Sequence, residues 1–335
     1  MLVEGKWVEN WHPVQAKDEK GGFVRQISGF RNWVTPDGSA GPTGEMGFKA
    51  EPGRYHLYVA LICPWASRTL IARKLKGLED VVSVSVVEPA LTDQGWRFGD
   101  YPGSNGDVVN GAAYLHELYT RADPHYTGRA TVPVLWDRKG ATIVSNESAE
   151  IVRMFNSGFG DLATDAFELY PEHLRAAIDG LNDRIYPSLN NGVYRAGFAT
   201  TQIAYEEAFA EVFGMLDELE AHLERTGPFL FGDAFTEADI RLFVTLVRFD
   251  VAYHGLFKCN LRRIADYDRL SDYLARVIAV PGIRETVNID HIKRGYYSIK
   301  TLNPTGIVPL GPDLPGVSPV NLSLREAVPS KEVLS

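Results

Sequence analysis

The sequence contains two cysteines, and one of them, Cys63, lies where a thiol could act as a nucleophile. The stretch YVALICPWASRTLIARKLKGL places Cys63 at the end of an apolar run and directly before Pro64. Because proline is favoured in the first helical turn, this pattern predicts a strand, then Cys63, then a helix. The N–H groups of a helix start favour the thiolate and can lower a cysteine pKa from about 8.5 into a range of about 3.5–7.5.

A buried structural role is the alternative for Cys63, because free cysteine is among the most buried residue types. Ala66 stands three residues later, where a Cys-x-x-Cys motif has its second thiol. A disulfide of Cys63 would therefore be formed with, and released by, an external thiol. The second cysteine, Cys259, falls in a stretch with a helical pattern and is interpreted as structural.

Candidate ligand-binding residues follow further along the chain. Pro133, at the entry to the predicted strand ATVPVLWD, is a candidate for a cis peptide bond, which would leave the backbone of Val132 open to an extended, peptide-like ligand. Glu147 and Ser148 precede a predicted helix whose first N–H groups can bind a carboxylate, and Arg129 could pair with a second one. Simple helix capping and a solvated arginine are the alternatives. A small molecule with a thiol, peptide groups and a carboxylate at each end, such as glutathione, fits this set.

The elements that would position these residues follow one another in a recognisable order. YHLYVAL and VVSVSVVE are typical of strands, and a helical pattern lies between them. A long polar connection precedes TVPVLWDRKGATIVSNESAEIVRMFN, which predicts a hairpin and then a helix. The order βαβ followed by ββα is that of the thioredoxin fold. From about Leu169 only helical patterns remain, and in FTEADI Thr236 and Asp239 are spaced as a capping box.

We therefore predict an α/β thioredoxin-like N-terminal domain followed by an all-α C-terminal domain. The predicted divisions are an irregular N-terminal extension (1–53), a thioredoxin-like domain (54–160) with a long inserted loop (88–128), an all-helical domain (169–300) and an extended C-terminal tail (301–335). The extension is expected to be packed by Trp7, Trp11, Phe23, Phe30 and Trp33.

Composition excludes several classes of function. A net charge of −9 without a basic cluster argues against a general nucleic-acid binder. No apolar run approaches the roughly 20 residues of a membrane helix, and the first residues lack the pattern of a signal peptide. Two cysteines are typical of a reducing compartment, so we expect a cytoplasmic protein. No cysteine and histidine cluster has metal-binding spacing, and no metal is expected.

Several motifs, spread over nearly the whole chain, resemble those of one enzyme family. CPWASRT, GWRF, ATVPVLWD, SNESAEIVRMFN, NNGVYRAGFATTQ and NPTGIVPLGP are similar to motifs of the glutathionyl-hydroquinone reductases, the Xi class of the glutathione transferase family. The resemblance implies the glutathione transferase fold and a homodimer formed through the helical domains. It also implies that glutathione is a co-substrate and that the substrate is a glutathionyl-hydroquinone.

The resemblance further implies a reaction and its residues. The thiolate of Cys63 would attack the glutathione sulfur of the substrate, release the hydroquinone and form a mixed disulfide, which a second glutathione would resolve to oxidised glutathione. The family pattern maps glutathione binding onto Trp96, Arg129, Val132, Glu147 and Ser148. It maps the aromatic pocket, with one tyrosine as proton donor, onto Tyr194, Tyr253 and Tyr296. Without the resemblance, core aromatics are the favoured interpretation of these three residues.

Two other functions remain as alternatives on the same scaffold. A conjugating or dehalogenating transferase would consume glutathione with an electrophile and would not yield oxidised glutathione. A non-catalytic module that only docks partners would have no thiol of lowered pKa at Cys63.

Overall fold

The computed structural model describes residues 1–9, 16–164 and 166–314. Trp11 and most of the predicted C-terminal tail lie outside the described residues. The strands are, in chain order, β1 (Leu2–Val3), β2 (Lys6–Trp7), β3 (Trp33–Thr35), β4 (Gly47–Lys49), β5 (Tyr55–Val59), β6 (Val82–Val86), β7 (Val134–Asp137) and β8 (Thr142–Ser145).

Among the described residues, the second half of the chain consists mainly of helices, and three further α-helices lie in the first half. They are α1 (Pro64–Leu75), α2 (Leu115–Ala122), α3 (Ser148–Arg153), α4 (Arg175–Ile185), α5 (Gly192–Gly197), α6 (Gln202–Thr226), α7 (Glu237–Arg248), α8 (Asp268–Ala279) and α9 (Ile289–Tyr297). Helices α3, α4 and α7 each continue into a π-helical turn, at Met154–Gly158, Tyr186–Asn190 and Phe249–Tyr253.

The central sheet has the strand order β6-β5-β7-β8. Strand β5 pairs in parallel with β6 and antiparallel with β7, and β7 pairs antiparallel with β8. Every residue of β5 is buried, as expected for an inner strand that is covered on both faces. Helix α1 joins the parallel pair, so the predicted thioredoxin-like arrangement followed by an all-helical part is confirmed.

The helical part is held together by the same apolar and capping residues that predicted its helices. Helix α6 buries Val212, Leu216 and Leu219 along one face. At the start of α7 the backbone N–H of Thr236 donates to the carboxylate of Asp239 at 2.8 Å, which confirms the predicted capping box. Asp239 is itself buried and also accepts from the hydroxyl of Tyr273 at 3.0 Å, so the cap ties α7 to α8.

Two predicted irregular regions contain regular structure. In the extension, β3 and β4 form a short parallel pair. The predicted loop 88–128 contains helix α2, which the sequence analysis missed, since only Leu115, Leu118 and Tyr119 of its eight residues are buried. Three buried positions in a largely polar stretch give a weak helical pattern.

The extension lies against both halves of the chain. The Asn32 N–H donates to the Val144 carbonyl at 3.0 Å, next to the central sheet, and the Thr200 N–H donates to the Gly21 carbonyl at 3.0 Å, next to α5 and α6. Phe23 and Trp33 are buried in the core, as expected. The extension is thus positioned to reach the place where the two halves meet.

Across the described ranges, no helix combines the length and apolarity needed to cross a membrane.

Candidate active site

Cys63 lies between β5 and α1, where the sequence placed it. It is the residue that caps the start of α1, with φ −75° and ψ 118°, and its carbonyl accepts the N–H of Ser67 at 3.0 Å. Its sulfur lies 3.5 Å from the carbonyl oxygen of Val132 and donates to it. The peptide bond between Val132 and Pro133 is cis, as predicted. The thiol therefore faces the backbone that leads into β7.

The expected lowering of the Cys63 pKa is wrong, so the pKa of this thiol does not by itself separate an enzyme from a module that only docks partners. Burial of the sulfur raises its pKa, and this effect is larger than the opposing ones. The N–H groups of Ala66 and Trp65 and the charges of Arg248 and Arg25 all act to lower it. The helix start thus contributes as expected, but the sequence could not show how much protein surrounds the sulfur.

Arg248 is a residue of this site that the sequence analysis missed. It is 2% exposed at the end of α7. It donates to the carbonyls of Ile62 at 2.8 Å, Leu61 at 3.0 Å and Val244 at 2.7 Å, and to the hydroxyl of Ser67 at 2.6 Å. Among the described residues none of these partners is a carboxylate. Arg248 therefore holds the backbone before Cys63, and its charge acts on the thiol. An arginine inside the apolar run LFVTLVRFDVAY was the available signal.

The second cysteine cannot resolve a disulfide formed at Cys63. Cys259 is fully buried, and burial raises its pKa to about 12. Both cysteines are free. Ala66, in the first turn of α1, is fully buried as well. A disulfide formed at Cys63 therefore has no thiolate within the chain to resolve it.

Three predicted glutathione-binding residues lie at the ends of neighbouring strands. Val132 precedes β7 and is next to Cys63, and among the described residues its backbone N–H donates to no backbone carbonyl. Glu147 caps α3, where one carboxylate oxygen accepts the N–H of Ala149 at 3.1 Å. Ser148 is the buried first residue of that helix. The capping alternative for Glu147 is thus observed, and its second oxygen accepts from Ser28 of the extension at 2.9 Å.

The remaining two predicted glutathione-binding residues, Trp96 and Arg129, lie between β6 and β7. Burial and the charge of Arg25 lower the pKa of Arg129 to about 10, whereas the Cys63 thiolate acts to raise it. Arg129 and Cys63 therefore stabilise each other's charged forms. The N–H of Arg129 donates to the side chain of Gln26 at 2.9 Å. Trp96 is partly buried, and its carbonyl accepts the N–H of Leu115 at 2.9 Å, which fixes it at the start of α2. The described contacts do not join Trp96 to Cys63.

The three predicted tyrosines come together, although they lie on three different elements. The hydroxyl of Tyr296, on α9, is 2.5 Å from that of Tyr194, on α5, and 2.8 Å from that of Tyr253, after α7. Tyr253 and Tyr296 are almost fully buried, whereas Tyr194 is partly exposed. Of this cluster, Tyr194 is therefore the member that can meet a ligand directly.

The tyrosines differ in acidity for a physical reason. Burial raises the pKa of all three, and most strongly that of Tyr253 and Tyr296. The Cys63 thiolate also raises the pKa of Tyr194, while the charge of Arg25 and the hydrogen bonds from Tyr296 and Tyr253 lower it. Either hydroxyl of the Tyr194–Tyr296 pair can donate, so Tyr296 is placed to donate to the anion of Tyr194.

Arg25, from the extension, is a second site residue that the sequence analysis missed. Its Nε donates to the side chain of Asn191 at 2.8 Å. Its guanidinium carbon is 4.7 Å from the ring centroids of both Trp65 and Tyr194. No local sequence pattern around Arg25 indicated this position. Among the described residues, no three histidine, cysteine, aspartate or glutamate side chains gather as a metal site.

Comparisons with known proteins match both halves of the fold. Models of the glutathione S-transferase N-terminal and C-terminal domains match residues 62–157 and 202–276. The chain is 55% identical to a glutathionyl-hydroquinone reductase of Escherichia coli, over 93% of this chain and 94% of that protein. It is 50% identical to a glutathionyl-hydroquinone reductase of Sphingobium chlorophenolicum, over 95% of this chain and 98% of that one.

Solved structures give the same picture. The glutathione-bound structure of the Escherichia coli glutathione transferase homolog has a TM-score of 0.86, with 51% identity over 97% of this chain and 99% of that one. The glutathione-S-transferase Xi of Phanerochaete chrysosporium has a TM-score of 0.83, with 48% identity over 89% of this chain and 100% of that one.

Proposed function

Because this chain belongs to the glutathionyl-hydroquinone reductases, the Xi class of the glutathione transferase family, we propose that it reduces glutathionyl-hydroquinones to hydroquinones, with glutathione as co-substrate. One observation carries the proposal. Cys63 lies at a helix start beside Val132, and the chain offers it no second thiolate. A thiol in this position needs an external thiol, which is the role of glutathione in the reaction.

In the first step, the Cys63 thiolate attacks the sulfur that joins glutathione to the aromatic ring. A sulfur–sulfur bond forms between Cys63 and glutathione, and the bond between sulfur and ring carbon breaks. The electron pair of the broken bond stays with the ring, and the ring carbon takes up one proton. The sulfur is oxidised to the disulfide level, and the ring carbon is reduced.

Tyr194 supplies that proton in our proposal. It is the partly exposed member of the tyrosine cluster, it lies close enough for the Cys63 charge to raise its pKa, and Tyr296 and Tyr253 stabilise its anion. Tyr253 and Tyr296 are positioning residues, since both are buried behind Tyr194. A donor that remains neutral at pH 7 and is stabilised after losing its proton suits general acid catalysis.

In the second step, the thiolate of another glutathione attacks the mixed disulfide. Oxidised glutathione leaves and the Cys63 thiolate returns. The proton that this glutathione gives up balances the proton gained by the ring in the first step. The charges of Arg248 and Arg25 favour the returning thiolate, because both act to lower the Cys63 pKa.

The glutathione site is proposed to consist of Trp96, Arg129, Val132, Glu147 and Ser148. Val132 offers backbone groups to the peptide part of glutathione, next to the nucleophilic sulfur. Arg129 offers a buried positive charge to a carboxylate. Glu147 offers its carboxylate to the amino group of glutathione, and Ser148 lies beside it at the start of α3.

We also propose a cytoplasmic homodimer that forms through the helical domain and binds neither nucleic acid nor membranes, with the domain divisions predicted from the sequence. The family resemblance supports the dimer, and the net charge of −9 argues against a polyanionic partner. A free, working thiol at Cys63 suits a reducing compartment. Sedimentation equilibrium of the purified chain tests the dimer.

The reaction is tested by incubating the protein with a glutathionyl-hydroquinone and isotopically labelled glutathione, and identifying the products by mass spectrometry. We expect free hydroquinone and oxidised glutathione in equal amounts, with one label in each molecule of the latter. A Cys63→Ser variant should form neither. Consumption of glutathione by an electrophile without oxidised glutathione would instead identify a conjugating transferase.

A further inference from the structure

Arg25 carries a hydrogen-bond donor that the described protein leaves unused. Its Nε is bound to Asn191, but its Nη2 is buried and has no hydrogen-bond partner among the described residues. A buried donor that stays unpaired costs about 1–3 kcal/mol, more when it is charged. Such groups are rare in native proteins unless a ligand or ordered water completes them.

The same position holds a second unused donor. The indole Nε1 of Trp65 is also buried without a partner among the described residues. The Arg25 guanidinium lies 4.7 Å from the Trp65 ring centroid, so both donors belong to one contact group beside Cys63. Two unfilled donors next to each other indicate an acceptor oxygen supplied by a ligand.

The charge around Arg25 points to an oxygen with negative charge. No carboxylate of the described residues forms a hydrogen bond with Arg25. The positive charge of Arg25 acts on Cys63, on Tyr194 and on Arg129, which places this cation inside the site. A guanidinium whose flat face is covered by aromatic rings presents its N–H groups at its edge, where it binds carboxylate or phenolate oxygens.

The hydroquinone and glutathione could both offer such an oxygen. Arg25 lies over Tyr194, which we place in the aromatic pocket. Its positive charge lowers the pKa of Tyr194 and of the nucleophile Cys63. The two carboxylates of glutathione are expected at Arg129 and at the start of α3, beside Ser148. In the proposed first step the carbon–sulfur bond lies between Cys63 and Tyr194, so the ring oxygens of the hydroquinone are held in the same pocket, which Arg25 borders.

We propose that Arg25, delivered by the N-terminal extension, is a substrate-binding residue that donates from Nη2 to a ring oxygen of the glutathionyl-hydroquinone. This inference rests on the proposed function, and it gives the extension a direct part in substrate recognition. It also narrows the substrate class, because the substrate must have a ring oxygen that can accept a hydrogen bond and carry negative charge.

The test compares two substrates with two variants. The substrates are a glutathionyl-hydroquinone and its dimethyl ether, in which neither ring oxygen can ionise. The variants are Arg25→Met, which keeps length but removes charge and donors, and Arg25→Lys, which keeps charge. The first measured quantity is kcat/KM for release of the ring, in each of the four combinations of variant and substrate, with wild type as reference. The second is the rate at which glutathione resolves the isolated mixed disulfide.

For Arg25→Met we expect kcat/KM with the hydroquinone substrate to fall about 10- to 100-fold, the loss of one charge-assisted hydrogen bond. The dimethyl ether should be affected less than threefold, so the preference of the wild type for the free hydroquinone should disappear. Arg25→Lys should recover part of the loss. The rate of resolution by glutathione should fall much less than the rate of the first step, because there Arg25 acts only through its small effect on the Cys63 pKa.

Control variants separate binding from anchoring. Arg195, next to Tyr194 on α5, pairs with Glu211 at the surface, and Arg195→Met should leave every rate unchanged. Asn191→Ala removes the acceptor that anchors Arg25 but keeps the guanidinium, so it should retain the preference between the two substrates. Circular dichroism melting curves establish that each variant is folded.

Three results would overturn the inference. Equal losses with both substrates would make Arg25 merely structural. A slowed glutathione resolution with an unchanged first step would assign Arg25 to glutathione. Unchanged kinetics throughout would leave it without a role. If the wild type itself releases no hydroquinone, the proposed function fails instead, and that outcome is seen before any variant is compared.

Discussion

The hydroxyl of Tyr194 lies 2.5 Å from the hydroxyl of Tyr296, on a helix about 100 residues further along the chain. Tyr253 approaches Tyr296 at 2.8 Å, so the three hydroxyls form a chain that ends at Tyr194. Only this end is partly exposed, and the charge of Cys63 acts on its pKa. The order of the chain distinguishes the three tyrosines, which the sequence alone could not do.

Tyr194→Phe should therefore impair hydroquinone release most among the three Tyr→Phe variants. We expect the single-turnover rate to fall by about 10²–10⁴, the usual contribution of a general acid. Tyr253→Phe and Tyr296→Phe should lose less, because they act through Tyr194. Rapid-quench measurements of the first turnover provide the comparison. A greater loss in Tyr253→Phe than in Tyr194→Phe would contradict the assignment.

Arg248→Met should raise the pKa of Cys63 further, because it removes a buried positive charge that favours the thiolate. It should also lower the free energy of unfolding by about 3 kcal/mol, since three carbonyls lose their donor. Alkylation rates against pH and denaturant titration measure the two effects.

Arg248→Lys is the matched control for that variant, because it keeps the charge but not the full set of hydrogen bonds. Its Cys63 pKa should lie closer to the wild-type value, while its free energy of unfolding should still be reduced. If folded Arg248→Met protein has the wild-type pKa at Cys63, the electrostatic role of Arg248 is wrong.

The reactivity of Cys63 should rise steadily with pH. Burial raises its pKa above the ordinary value for a thiol, so at neutral pH only a small fraction is thiolate. The rate of alkylation by iodoacetamide, read by mass at Cys63, should then keep rising with pH through the neutral range and level off only above the ordinary pKa of a thiol, about 8.5. A plateau already reached near pH 7 would show that the pKa is lowered instead.

Cys259 should be dispensable for the reaction. Because burial raises its pKa to about 12, it holds no thiolate at neutral pH. Cys259→Ala should keep kcat within twofold of wild type, and mass spectrometry should find the glutathione adduct at Cys63 alone. We expect a loss of stability of about 1 kcal/mol from the small cavity left behind. Glutathione attached at Cys259 in the wild type would contradict this reading.

Local patterns accounted for much of the fold and for the nucleophile. The alternation in VVSVSVVE, Pro64 after Cys63 and the spacing of Thr236 and Asp239 each act within a few residues, and all three predictions are confirmed. The pairing of β3 with β4 and the presence of α2 were missed, since two or three buried positions produce hardly any periodicity.

The remainder of the site depends on contacts between distant parts of the chain. Arg248 donates to the carbonyl of Ile62, 186 residues away in the sequence, and Arg25 donates to the side chain of Asn191, 166 residues away. No spacing rule connects such positions. The sign of the Cys63 pKa shift was wrong for the same reason, because desolvation depends on every segment that packs around the sulfur and only the helix start is visible locally.

The contact of Arg248 with the carbonyls before Cys63 also sets an order of events during protein synthesis. Cys63 leaves the ribosome long before the codon for Arg248 is read. Until α7 has been made and has docked, the loop that ends at Cys63 lacks the donors that hold it in place. The finished thiol site is thus a property of the completed chain, and a growing or prematurely ended chain carries Cys63 without it.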